Sequence, residues 1–299
     1  MIKKTALAKG YQLQQIQEKL IEVLSNSKTG LSGIEIAEKL KINRATMAKY
    51  LNVFAAEGII RQKNIGNANL WFVDLGTESL QFPADYFKVK EKFIENLTLN
   101  QQHQAKQLIR NSFHSGADVT TLISEVIIPS ISSIDELYVK AKIGTSEAKM
   151  LRGIITDSLN ILNQDNESDP KRNVILLSTD QSSVIYSLAA SSALASRGWQ
   201  VWHVGDVSDS IGVLYDLDLQ KFITKIWKQK IGVMIITIFS STEEGAKFFV
   251  ESANSIKSKF GKNLHIAVHS RASGKNIKSE FSSENLDAVV KWINSISST

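Results

Sequence analysis

The sequence predicts a multidomain chain: helices closed by a β-hairpin, then a strand-free helical segment, then a parallel α/β sheet. Three observations carry that prediction. Apolar residues recur at helical spacing up to about residue 57 and then give way to two short strand-like runs. Residues 86–164 keep helical spacing without strand-like alternation. From Asn173 onward, apolar runs alternate with amphipathic stretches.

In the first segment, Leu13–Ser25 places Ile16, Leu20, Ile21 and Leu24 on one helical face. Ser32 followed by Glu35 is a capping box opening a second helix, with Ile36, Ala37 and Leu40 inward. The turn Lys41-Ile42-Asn43 leads to a third helix, about Arg44–Glu57, with Asn43 as N-cap and Gly58 as its stop. Ile59–Lys63 and Leu70–Val73 flank Asn64-Ile65-Gly66-Asn67, a hairpin signal. Two helices joined by a tight turn and followed by a hairpin make a winged helix–turn–helix.

Charge supports a role for that segment. Residues 1–76 carry eleven Lys/Arg against six Asp/Glu, which is the whole net charge of +5, and the remaining 223 residues carry 24 of each sign. A basic excess confined to one segment points to a polyanion there. In a helix–turn–helix the second helix of the pair enters the major groove. Met47, Leu51 and Phe54 share its inner face, which leaves Arg44, Thr46, Lys49 and Tyr50 outward beside Asn43. Arg44 has the two donors that a guanine edge accepts, and Lys49 suits a phosphate. Arg61 and Lys63 on the hairpin are further backbone contacts. Double-stranded DNA is the expected partner, with protein docking without DNA as the rival for such a fold.

The three prolines mark the organisation. Pro83 lies in the polar stretch Gly76–Asp85, Pro170 in the loop Asn163–Asn173, and Pro129 interrupts an apolar run as a kink or break. The resulting division is a DNA-binding domain at 1–76, a linker at 77–88, a helical cap at 89–164, a linker at 165–172, and an α/β domain at 173–299. In the last, strands at Val174–Ser178, Val201–Val204, Val233–Phe239 and His265–His269 alternate with helices at Ser183–Arg197, Leu219–Lys230, Glu243–Lys259 and Asn285–Ile296. That order implies a doubly wound, Rossmann-like (flavodoxin-like) parallel sheet, whose ligands bind beyond the carboxyl ends of its strands.

Leu31–Gly58 resembles the winged helix–turn–helix of archaeal and bacterial transcription regulators, through Glu35-Ile36-Ala37-Glu38-Lys39-Leu40 and Asn43-Arg44-Ala45-Thr46. Residues 97–151 resemble the four-helix cap that precedes cobalamin-binding domains, through Ile123–Pro129, Ile134–Tyr138 and Ile143–Glu147. The third segment is similar to the cobalamin-binding Rossmann-like domain, through Gly198-Trp199-Gln200-Val201 and Gly205. The whole order resembles the cobalamin-dependent photoreceptor repressors.

The ligand residues of that family do not carry over. Its axial histidine lies in an acidic-x-His-x-x-Gly motif, and counting fifteen residues back from Gly198 puts Ser183 at the histidine, Gln181 at the acid and Tyr186 at the glycine. Its Ser-x-Leu becomes Thr237-Ile238-Phe239, its Gly-Gly pair His269-Ser270, and its cap Trp and Glu-His become Tyr138, Ala148 and Lys149. A serine hydroxyl is a poor cobalt ligand beside an imidazole. The expectation is therefore no cofactor, with cobalamin disfavoured. Tyr138, Lys149, Ser183, Thr237 and His269 remain as a candidate ligand cleft for an unidentified small-molecule effector. The connection Asp206–Asp218, with Ile211, Val213, Leu214 and Tyr215, is long enough to plug that cleft, dock a subunit or form a short extra helix.

Several chemistries are excluded. The chain has no cysteine, hence no thiol catalysis, disulfide or thiolate metal site. The histidines at 103, 114, 203, 265 and 269 lack metal-ligand spacing on a helix, and no phosphate-binding glycine pattern follows the first α/β strand. No catalytic residue and no metal site are expected. With no signal peptide and no membrane-length apolar run, the expectation is a cytoplasmic homodimer or higher homo-oligomer that regulates transcription and is not an enzyme. The alternatives are a light-sensing cobalamin repressor or corrinoid carrier, and a protein-docking scaffold.

Overall fold

The computed structural model describes residues 13–27, 29–65, 68–73, 80–163, 167–210, 215–271 and 277–296. The chain forms two compact units, one of Met1–Asp118 with Pro129–Ile161, the other of Val119–Ile128 with Leu162–Thr299.

The first unit opens with α1 (Leu13–Ser25), a two-residue strand β1 (Leu31–Ser32), α2 (Gly33–Leu40) and α3 (Arg44–Ala56). The capping box forms: the Glu35 amide donates to Ser32 Oγ, and the Ser32 amide donates to the Glu35 carboxylate at 2.7 Å. Lys41 ends α2 in the left-handed region at φ 55°, which turns the chain sharply into α3. The hairpin β2 (Ile60–Ile65) and β3 (Ala68–Val73) follows, and β1 adds to give an antiparallel sheet in the order β1-β3-β2. β1 was not legible in advance, and the Gly66-Asn67 turn lies outside the described residues. Ile16, Leu20, Ile21, Ile36, Met47, Leu51, Phe54 and Trp71 form one buried core.

Four longer helices complete this part of the chain: α4 (Tyr86–Thr98), α5 (Gln102–His114), α7 (Ile128–Val139) and α8 (Thr145–Leu162). Between them, α6 (Val119–Leu122) runs into one wide π-helical turn at Ile123–Ile127. The wide turn is how the chain meets Pro129, which has no N–H to donate. The Ile128 amide reaches back to Ile123 O, and the helical path continues instead of breaking.

The second unit is a Rossmann-like α/β fold. Its strands β4 (Asp169–Ser178), β5 (Trp199–Asp206), β6 (Val233–Ser240), β7 (Leu264–Ser270) and β8 (Phe281–Ser283) form one parallel sheet in the order β5-β4-β6-β7-β8. β4 begins at Asp169, inside the stretch read as a linker, and β8 was not foreseen. The register pairs Leu176 with Thr237, Thr237 with Ala267, and His269 with Ser283. Ile175, Leu177, Ile236, Ile238 and Val268 pack in one core with residues of α10 (Tyr215–Ile226) and α11 (Glu243–Phe260). Because side chains alternate along a strand, Thr237, Phe239 and His269 point to the opposite face. That face carries α9 (Val184–Ser196) and α12 (Leu286–Ile296).

α9 explains its own composition. All ten residues from Ile185 to Leu194 are buried. The sheet covers the helix on one side and α6 on another, so a helix of Ala and Ser can be approached from several directions. Ser192 Oγ donates to Leu188 O within the helix at 3.2 Å, and Ser187 Oγ reaches out to Ser178 Oγ at 2.8 Å.

Candidate functional site

The residues singled out in the first unit sit around the start of α3. Asn43 Oδ1 accepts the Ala45 amide at 2.9 Å, so this side chain is occupied in starting the helix. With Met47, Leu51 and Phe54 buried, Arg44 and Lys49 are exposed and Thr46 is half-buried. Tyr50 is also half-buried, its ring stacked on Phe54 at 6.3 Å, so it packs along the core and does not stand free. Arg44 Nη2 donates to Glu38 Oε1 at 2.9 Å, with both side chains about two-thirds exposed (65% and 64%). An ion pair that exposed is worth less than about 1 kcal/mol, so the guanidinium can exchange Glu38 for another acceptor. Arg61 and Lys63 are exposed on β2, an edge strand of the small sheet, and two residues apart they share a face.

In the second unit the switch point lies between β4 and β6, where strand order reverses and an open sheet leaves its ligand crevice. Here the crevice is laced with the chain's own polar groups. Thr179 and Ser240 share a hydroxyl hydrogen bond at 2.6 Å. The Asp180 carboxylate accepts the amides of Ser183 at 3.0 Å and Ser241 at 2.9 Å, and the hydroxyls of Ser182 at 2.5 Å and Ser183 at 3.0 Å. Burial opposes ionisation of Asp180, but the donors from Ser182, Ser241 and Ser183 outweigh it and hold the carboxyl below its ordinary range. Thr242 Oγ1 accepts the Gly245 amide at 3.2 Å and so caps α11. A Cβ at Gly245 would stand 2.9 Å from Thr179 Oγ1, which measures how tightly these elements close. Helix-start amides that could meet an anion are thus already bonded by Asp180 and Thr242.

A second filling lies on the α9 face. His269 is 2% exposed, stacked on Tyr186 at 5.3 Å and tilted against Phe239 at 5.4 Å. Burial, with Arg271 adding to it, lowers the imidazole pKa to about 4, so the ring is neutral at neutral pH. The Arg271 guanidinium lies 4.9 Å over Tyr186, and its Nη1 donates to Tyr186 Oη at 3.3 Å. His269, Tyr186 and Arg271 form a stack, with Phe239 tilted against its imidazole end. One of its members, His269, stands where the resemblance expects a glycine.

Ser183, Thr237 and His269 of the candidate cleft all belong to this unit and are buried, but their contacts go elsewhere than to one another. Ser183 serves Asp180, His269 serves the stack, and Thr237 Oγ1 has no hydrogen-bond partner among the described residues. Tyr138 and Lys149 belong to the other unit. Both are exposed, and Tyr138 Oη lies 3.4 Å from Thr145 Oγ1. In the Asp206–Asp218 connection, Ser208–Ser210 forms a single 3-10 turn, and Ile211, Val213 and Leu214 lie outside the described residues. Tyr215 begins α10 with its ring edge-on to Phe249 at 4.7 Å.

Asp180 is the residue that sequence reasoning missed. It is the acidic residue that follows β4, one position before the counted frame, and Ser182, not Ser183, then stands two residues on in the histidine's place. The signal was present as Asp-Gln-Ser-Ser opening a helix, an N-cap pattern. Of the imidazoles on this side of the sheet, His203 Nε2 bonds Ser187 Oγ at 2.9 Å and His269 is stacked. His265 Nδ1 pairs with Glu280 Oε2 at 2.7 Å. Among the described residues no group of three or more His, Asp or Glu is placed to hold a metal ion, and no helix is long and apolar enough to cross a membrane.

No protein-family model and no curated protein matches the chain. Among solved structures it resembles the monomethylamine corrinoid protein of Methanosarcina barkeri, with a TM-score of 0.54 at 11% identity over 69% of this chain and 96% of that one. Weaker likenesses link it to a cobalamin-binding protein from Desulfitobacterium hafniense DCB-2, with a TM-score of 0.36 at 13% identity over 69% and 97% of the two chains. The methanol:cobalamin methyltransferase complex of Methanosarcina barkeri gives 0.33 at 14% identity over 74% and 86%. At such identities the likeness is one of fold alone, the fold of the monomethylamine corrinoid protein.

Proposed function

We propose that this chain is a DNA-binding transcription regulator in which a winged helix–turn–helix reads duplex DNA. The cobalamin-binding-like remainder then serves sensing or oligomerisation without holding cobalamin in the usual mode. The single observation that carries the DNA reading is the coincidence of charge and geometry. The net +5 of the chain is confined to residues 1–76, and its exposed members Arg44, Lys49, Arg61 and Lys63 flank a capped helix start and an edge strand. Arg44 suits a guanine edge once it leaves Glu38, while Lys49 and the two hairpin cations suit phosphates. One such domain makes few contacts, so a symmetric dimer on a two-fold operator is the working form. In this reading the protein is cytoplasmic and carries out no chemistry of its own.

The fit to cobalamin is poor on three counts. Ser182 and Ser183 offer hydroxyls where an imidazole is needed, and both are engaged by Asp180. His203 and His269 have their own partners. His269-Ser270 replaces the Gly-Gly pair past which the nucleotide tail runs in the family, and the His269 ring is stacked on Tyr186. The fold likeness favours a second reading, a corrinoid carrier, and these residues speak against it.

Two measurements separate the readings. An electrophoretic shift on the DNA upstream of its own coding region, retained at moderate salt, supports the regulator, and no shift with any duplex supports the docking scaffold. An absorbance spectrum after incubation with cobalamin and gel filtration should be colourless. A coloured, near-stoichiometric complex would establish the carrier or photoreceptor reading instead.

A further inference from the structure

The C-terminal end of α3 rests on a polar stripe of α5. Gln107, Arg110 and His114 are spaced i, i+3 and i+7, so they share one face of that helix. Gln107 is 1% exposed and uses both ends of its amide: Nε2 donates to the Gly58 carbonyl, and Oε1 accepts from Arg110 Nη1 at 3.0 Å. Gly58 is in the left-handed region at φ 72°, which favours glycine, and a Cβ there would stand 2.8 Å from Arg110 Nη1 and push the guanidinium aside. One turn further along, the Glu57 carboxylate lies 4.0 Å from His114 Nδ1. Burial raises the Glu57 carboxyl, and burial with Arg110 lowers the His114 imidazole, so this contact is desolvated. Ile59, the next residue, is fully buried. A buried glutamine satisfied at both ends is not a surface accident.

We propose that Gln107 and Arg110 are positioning residues: a latch on α5 that fixes the end of α3 and thereby sets the orientation of the DNA-reading helix. Neither touches DNA in this account. A change in α5, which belongs to the helical segment and not to the reading head, then reaches the base contacts through Gly58. This inference rests on the DNA reading above and adds the route by which that reading is controlled.

The test uses the full chain with Gln107→Leu and Arg110→Ala, each first checked for an unchanged helical circular-dichroism spectrum. Duplex affinity is measured at several salt concentrations, beside hydrogen exchange of residues 44–60. We expect affinity to fall about tenfold, within the usual range of coupling between sites. The slope of log K against log salt should stay unchanged, because no phosphate contact is lost. Exchange should quicken at residues 54–60 and stay the same in α8. A slope smaller by about one in Arg110→Ala would mean that the arginine itself grips phosphate, which overturns the latch. Unaltered exchange at 54–60 in both variants overturns it as well. If the parent chain binds no duplex while exchange responds as described, the DNA reading fails and the mechanical latch stands.

Discussion

Asp180 and His269 show, at the scale of single residues, what closes the α/β unit. Removing the Asp180 carboxylate leaves the Ser241 amide without its acceptor at a part-buried site, while the Ser183 amide keeps the Asp180 backbone carbonyl at 3.1 Å. Asp180→Ala should cost about 2 kcal/mol of unfolding free energy, measured by urea denaturation, because the orphaned Ser241 donor loses its desolvation energy. His269 gives a pH signature. Its folded pKa of about 4 lies below the ordinary 6.5, so the unfolded chain takes up the proton first. The stability from the neutral ring is therefore whole above pH 6.5 and is lost as pH falls toward 4. The loss is about 3 kcal/mol. Comparing unfolding at pH 7 and pH 4.5 in the parent and in His269→Phe checks this: the variant should show a smaller acid loss, and equal losses would contradict the assignment. Neither residue's role was legible by counting. Asp180 fell one position outside the frame taken from Gly198, and the stack joins Tyr186 to His269 across 83 positions of sequence.

Elements were more legible than contacts. α3 was readable because its ends are chemical statements: Asn43 caps the start, and Gly58 alone tolerates φ 72° after the stop. Asn43→Ala should lower stability by about 1 kcal/mol, read as a lower urea midpoint. α9 was readable as a helix from its Ala/Ser run, but nothing in the run says that α6 covers it. Since Ala190 is fully buried there, Ala190→Leu should destabilise by about 2 kcal/mol through overpacking, checked by thermal melting. β1 and β8 escaped prediction because strands of two and three residues are too short to show a period. Pro129 was legible as a disturbance, while its form, a π turn at Ile123–Ile127, depends on how the helix rearranges its carbonyls. The polar stripe of α5 was invisible for a related reason. Gln107 and Asn111 are polar residue types with no motif around them, and only the fold shows them buried.

For the whole molecule, the account divides labour along the chain. A basic first quarter precedes an electrically balanced remainder, which includes a Rossmann-like fold whose β4 and β6 ends are joined by hydrogen bonds of Thr179 to Ser240 and of Ser241 to Asp180. Charge asymmetry is a property the sequence states outright, whereas the closing of the crevice appears only when β4 and β6 are laid side by side. The most direct test of the central claim is a fluorescence-anisotropy titration of duplex DNA at several salt concentrations, with the parent chain and with Arg44→Ala/Lys49→Ala. The account predicts salt-sensitive binding by the parent. The double variant should lose at least about tenfold in affinity and about one to two units of salt slope, the share of one or two phosphate contacts. Equal affinity and equal slope for the two proteins would contradict it.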